Sequence, residues 1–211
     1  MQRWLWGFLL LGLAGRAQAA DVTAFGAVGD GRTVNTAPLQ RAIDAVAAGG
    51  GGTVDVPAGV FVSGTLSLKS HVMLRLDAGA VLKGSDDLAD YQRNGSRLGL
   101  LFTQGATDTG IEGPGTLDGN GDHFMDLAHA KHMSPSDTQW TRQKDRFRQV
   151  TEGLGDGPVV PLDRPFQMII FSDCKGVTVR NVRIVNSPFW TVHFADCDGV
   201  MVRGARASGT T

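Results

Sequence analysis

Apolar and polar positions divide the chain into three kinds of segment. The first is an apolar run from Trp4 to Ala14, with Arg3 before it and Ala17, Gln18 and Ala19 after it. A basic start, a short apolar stretch and small residues at alternate positions make the layout of a secretory signal. The run is too short for a spanning helix, which needs about 20 apolar residues. Residues 1–19 are therefore expected to be removed, with cleavage after Ala19 or Ala20. The mature protein is expected to be secreted or periplasmic and to have no membrane partner.

The second kind of segment is helical. Asp21 to Ala27 reads as a short strand and Gly29–Gly31 as a turn. Asn35 and Thr36 then offer a helix cap, with Pro38 in the first turn. Leu39, Ala42, Ile43 and Val46 fall on one face of a 3.6-residue period, and Gly49–Gly52 ends the pattern. Residues 20–52 thus predict an N-terminal strand and one capping helix.

From Thr53 onward the period shortens to two. Thr53–Val56, Val60–Val62, Thr65–Leu68, His71–Leu76 and Ala80–Leu82 read as strands separated by Gly, Asp, Ser and Pro. Further on, Cys174–Ile184 lies over Cys197–Ala207 with a shift of 23 residues. The matching letters include Cys, Gly, Val and Arg. A repeat of this length built from short strands is a solenoid signature. A single coil cannot bury its own apolar side, so stacked coils share one core. Val177, Val179, Val182 and Ile184 are expected inside, and Thr178, Arg180 and Arg183 outside. A leucine-rich solenoid would need a leucine and asparagine consensus that is missing. A β-sandwich is disfavoured by the identity between coils. The predicted fold is all-β: a right-handed parallel β-helix over residues 53–211, with an N-terminal capping α-helix and an incomplete C-terminal end. Residues 119–163, polar and rich in His and charge, read as a long excursion from one coil, placed to wall a binding side.

Composition narrows the function. The net charge is −1 over 211 residues, which supplies neither a basic field for nucleic acid nor the acidity of a disordered chain. The glycines, 29 of them, follow no three-residue period and serve turns. Two cysteines, Cys174 and Cys197, make no disulfide scaffold. They should stack in neighbouring coils, where direct stacking gives poor disulfide torsion, so two buried thiols are expected. His123, His129 and His132 lack zinc-peptidase spacing, and neither metal nor cofactor is implied. Arg142, Lys144, Arg146 and Arg148 suit either a polyanion or an ordinary solvated face.

Several segments together resemble the polygalacturonase-type glycoside hydrolases, family 28. They are Phe25–Gly31 with Asn35, Thr36 and Leu39–Asp44; Val56–Gly59 with Ser63–Leu66 and Leu68–Ser70; Leu76–Ala80 with Leu82–Ser85; Gly113–Gly119; Arg164 and Pro165; Phe171–Cys174; and Asn186–His193. The resemblance runs from about Asp21 to Thr211, and Asn186–His193 beside the two cysteines is its most specific part. It implies a parallel β-helix that hydrolyses galacturonan-type pectin with inversion, as a monomer when full length. A pectic or other acidic polysaccharide is the implied partner. It also places Trp190 beside the cleft.

The family's catalytic segments are Asn-Thr-Asp, an Asp-Asp pair, Gly-His-Gly and Arg-x-Lys. Asn-Thr-Asp and Gly-His-Gly are absent, and Asn-Thr-Asp is expected just beyond Thr211. Asp86–Asp87 and Arg142–Lys144 match only by letters, too early in the chain. No catalytic residue is therefore assigned. The candidate substrate-binding residues are Trp190, as a sugar platform or a wall aromatic, and His193, as a hydrogen-bond donor to sugar or a plain surface residue. Asn186 is read as a turn residue that satisfies backbone groups. The residues alone also admit a calcium-dependent pectate-lyase-type eliminase, for which no acidic cluster is evident. They admit too a non-catalytic β-helix adhesin or carbohydrate-binding passenger. An end at Thr211 would leave Val200 and Val202 on an open sheet edge.

Overall fold

The computed structural model describes residues 18–130 and 159–208. The expected signal through Ala17, and with it the first part of the cleavage motif, lies outside the described residues. So do His132, Trp140 and the basic cluster from Arg142 to Arg148, and of His129 only the backbone is described.

Among the described residues, nineteen strands follow the chain. In order they are β1 (Gln18–Asp21), β2 (Asp30–Val34), β3 (Gly52–Val56), β4 (Gly59–Ser63), β5 (Val72–Leu76) and β6 (Ala80–Gly84). Next come β7 (Gln92–Arg93), β8 (Ser96–Arg97), β9 (Leu101–Gln104), β10 (Thr107–Glu112), β11 (Thr116–Asp118) and β12 (Met125–Ala130). The last are β13 (Val159–Pro161), β14 (Ile169–Ser172), β15 (Lys175–Arg180), β16 (Arg183–Val185), β17 (Val192–Ala195), β18 (Met201–Arg203) and β19 (Arg206–Ser208). The single α-helix among the described residues, α1, is Thr36–Ala48.

The long sheets are parallel. The first runs β1-β3-β5-β10-β15-β18, the second β2-β4-β6-β11-β16-β19, and the third β9-β14-β17. The chain visits them in turn, so each circuit is one coil of a right-handed parallel β-helix. Side chains alternate between the core and solvent. Val54, Leu74, Ile111 and Val179 are register partners that form one inner column, and Phe61, Leu82, Leu117 and Ile184 form a second. All eight are buried. Helix α1 closes the N-terminal end of the core with Leu39, Ala42, Ile43 and Val46.

Several local expectations are corrected. The first strand is Gln18–Asp21, four residues of which pair with β3. Val22–Phe25 forms a 3-10 turn because the Asp21 carboxylate accepts the Thr23 amide at 2.7 Å. Residues 65–68 contribute only a bridge from Leu66 to Leu101. Asn35 occupies the cap position of α1 without capping it. Its side chain is fully buried and instead ties Val28 and Thr33 together.

The 23-residue repeat has a conformational origin. Asp173 and Asp196, Gly176 and Gly199, and Asn181 and Gly204 all take positive φ. These are the corners of successive coils, where only Gly, Asn and Asp turn left-handed cheaply. Both thiols are free. Cys174 is buried, and burial pushes its thiol up, whereas Cys197 is only partly covered, less than expected.

Candidate carbohydrate-facing wall

Residues between the second and third sheets cross on the same side in each coil. In one coil this crossing is residues 85–100, and it contains the β7–β8 hairpin. Asn94 and Gly95 turn that hairpin with φ of 50° and 77°, the left-handed pair a two-residue hairpin loop requires. The next crossing is the long excursion, whose stem is the antiparallel β12–β13 ribbon. The third is residues 186–191.

Trp190 lies two residues before the start of β17. Its carbonyl accepts the Met168 amide at 2.9 Å, and the Thr191 carbonyl accepts the Ile169 amide at 3.1 Å. These bonds fix the backbone, while the indole stays 62% exposed. Phe189 stacks on Trp190 with centroids 5.7 Å apart, and Phe166 stacks on Phe189 at 5.6 Å. Arg164 lies over the Phe189 ring at 4.5 Å and donates to the Pro188 carbonyl at 2.7 Å. Burial pulls its guanidinium below the usual value. The result is a run of three aromatic rings braced by a cation–π contact.

His193 stands on the outer face of β17, with its ring 6.0 Å from Trp190 in an edge-on arrangement. Its Nδ1 is 2.6 Å from the Oε1 of Gln167, a residue 5% exposed. With Nδ1 donating to that oxygen, Nε2 remains for another partner. The structure thus brings the two candidate residues together.

Asn186 does what its turn position suggests. It has φ 52°, its Oδ1 accepts the Asp122 amide at 3.0 Å, and its carbonyl accepts the Gly121 amide at 2.7 Å. Asp87 accepts the Ala89 amide at 2.8 Å and caps a 3-10 turn, while Asp86 accepts from the Asn120 side chain. His123 sits 3.9 Å from Asp86. These carboxylates hold crossings in place. No group of three or more His, Cys, Asp or Glu among the described residues is arranged for a metal.

The sequence missed Phe166, Gln167 and the brace from Arg164. Phe189 is adjacent to Trp190 and could have been flagged. The other three reach the site only where the excursion returns, so no local spacing announces them.

A solenoid of stacked parallel coils, with an aromatic run on one outer wall, defines a parallel β-helix protein. The chain belongs to the glycosyl hydrolases family 28, whose model matches residues 48–207. It is 41% identical over 118 residues to an exo-poly-alpha-D-galacturonosidase of Dickeya chrysanthemi, covering 48% of this chain and 19% of that protein. It is 36% identical over 132 residues to a probable polygalacturonase of Vitis vinifera, covering 54% and 27%. The crystal structure of a hyperthermoactive exopolygalacturonase from Thermotoga maritima superposes with a TM-score of 0.67 at 26% identity, covering 92% of this chain and 47% of that one. The matches therefore span well under two thirds of these relatives.

Proposed function

We infer that this chain is the N-terminal part of an exported polygalacturonase-type hydrolase that cleaves α-linked galacturonan with inversion. The observation that carries this reading is the Phe166–Phe189–Trp190 run beside His193. An indole face packs against the C–H face of a sugar ring, and the free imidazole nitrogen meets a hydroxyl or carboxylate. Family membership and the galacturonosidase relatives support the choice of polymer.

Inverting hydrolysis needs a carboxylic acid and a carboxylate about 6.5–9.5 Å apart. Among the described carboxylates of this wall, Asp163 pairs with Arg97, and Asp86 with Asn120. The chain holds no Asn-Thr-Asp segment, so the acid and base are assigned in this proposal to residues outside 1–211. Reducing-sugar release from polygalacturonate tests it. The 211-residue chain should release none, and a form extended at its C-terminus should be active. Activity from the 211 residues would contradict the assignment.

Export completes the reading. Ala20 belongs to the core, so removal of residues 1–19 spares it, while cleavage one residue later would strip it out. N-terminal sequencing of exported protein should begin at Ala20. A start at Asp21 would show that the core tolerates the loss.

A further inference from the structure

A pocket of about 480 Å³ lies two coils N-terminal to the aromatic run, between the turn at residues 67–70 and the β7–β8 hairpin. Its floor is Phe102, half-buried on the outer face of β9. Phe102, Ile170 and His193 are register partners across β9, β14 and β17. The pocket and His193 therefore lie on one outer face, about 10 Å apart at two strand spacings.

The two sites also share a wall. Leu98, which lines the pocket, accepts the Phe166 amide at 3.2 Å, and Arg97 of the hairpin pairs with Asp163.

The pocket is built rather than incidental. Gln40 of α1 accepts the Ser67 amide at 2.9 Å and donates to the Ser67 carbonyl at 3.0 Å. Ser70 accepts the Thr107 amide at 3.0 Å. Ser67 is itself nine-tenths buried.

Lys69 and Arg93 line the pocket and no carboxylate does, while Asp44 and Asp90 line the adjoining cavity that both cations also border. Lys69 lies 3.9 Å from Asp44, both half-exposed, an arrangement too loose to hold the ammonium. Arg93 makes no ion pair among the described residues. A guanidinium on a hairpin with a fixed turn is suited to a planar carboxylate, which it can grip with two parallel hydrogen bonds.

We propose that this pocket is a second saccharide subsite that takes the carboxylate of a uronic acid unit on Arg93, with the sugar ring over Phe102. The proposal rests on the functional reading above for the identity of the polymer. The pocket sets the charge specificity, and the aromatic run supplies affinity that any sugar face can use.

Calorimetric titration of the full chain with tetragalacturonate, and with a neutral galactose tetramer, tests this. Arg93→Ala should weaken tetragalacturonate binding about tenfold, and Arg93→Lys should weaken it less. Binding of the neutral tetramer should be the same in all three proteins. Unchanged tetragalacturonate affinity in Arg93→Ala overturns the proposal. If Trp190→Ala still weakens binding in that case, the functional reading stands and only the pocket falls. If Trp190→Ala is silent too, or the wild type binds nothing, both fall. An equal loss for charged and neutral tetramers in Arg93→Ala also overturns it, because the pocket would then not read charge.

Discussion

The Nδ1 of His193 and the Oε1 of Gln167 are 2.6 Å apart, joining an outward residue of β17 to a nearly buried one at the end of the excursion. This contact sets which imidazole nitrogen faces solvent. Gln167→Ala should leave the fold intact but free the ring to rotate. Saccharide affinity should then drop about threefold to tenfold, in line with the loss of one hydrogen bond. Titration calorimetry checks this, and unchanged affinity would remove Gln167 from the site.

Gly99 reports how tightly that same wall is packed. A Cβ at this position would lie 1.7 Å from the Gln167 carbonyl oxygen. No rotamer can relieve a clash with backbone. Gly99→Ala should shift residues 164–168 and destabilise the protein by about 1–3 kcal/mol, as overpacking does. It should also weaken saccharide binding by misplacing His193. Urea denaturation gives the first quantity, and an unaltered midpoint would contradict the packing described.

On the first sheet, outward charges alternate along the helix axis. Asp55 and Arg75 are register partners, as are Arg75 and Glu112, and Glu112 and Arg180. Arg75 Nη2 lies 2.8 Å from Asp55 Oδ1. Burial still holds the Asp55 carboxyl above its usual value, with the Arg75 charge opposing. A raised carboxyl is a cost to the folded state while it is ionised. That cost is relieved as pH falls through its folded pKa toward the unfolded value of 3.8. Arg75→Ala enlarges the cost. Its destabilisation should therefore be greatest near neutral pH and shrink on acidification. A mutant-to-wild-type gap that is constant with pH would contradict the burial of Asp55.

The thiols offer a check on coil stacking. Cys174 Sγ is 3.1 Å from the Ser172 carbonyl, and Cys197 Sγ is 3.3 Å from the Phe171 carbonyl. Alkylation of native protein should reach the partly covered Cys197 first and spare Cys174. Peptide mapping would show the order, and equal labelling would mean that the coil is not closed around Cys174.

Much of the fold was readable because inner positions alternate without interruption. Val177, Val179 and Ile184 are inside, as the period of two requires, and the 23-residue shift marks one coil. Reading failed where a side chain overrode the pattern. Asp21 stops its strand by binding the Thr23 amide, and Asn35 gives up capping to stitch a loop. The β7–β8 hairpin was passed over although Asn94 and Gly95 are its direct signal. On the outer wall, Trp190 and His193 were singled out from their own segment, and they lie side by side. Their partners Phe166 and Gln167 arrive from the far side of the excursion, through tertiary packing alone.

The outer wall around Trp190 is proposed to hold acidic saccharide. A crystal structure of the protein soaked with trigalacturonate tests it most directly. A sugar ring should lie flat on the Trp190 indole, with a polar group within hydrogen-bond reach of His193 Nε2. Trigalacturonate ordered elsewhere on the helix, with Trp190 bare, would contradict it.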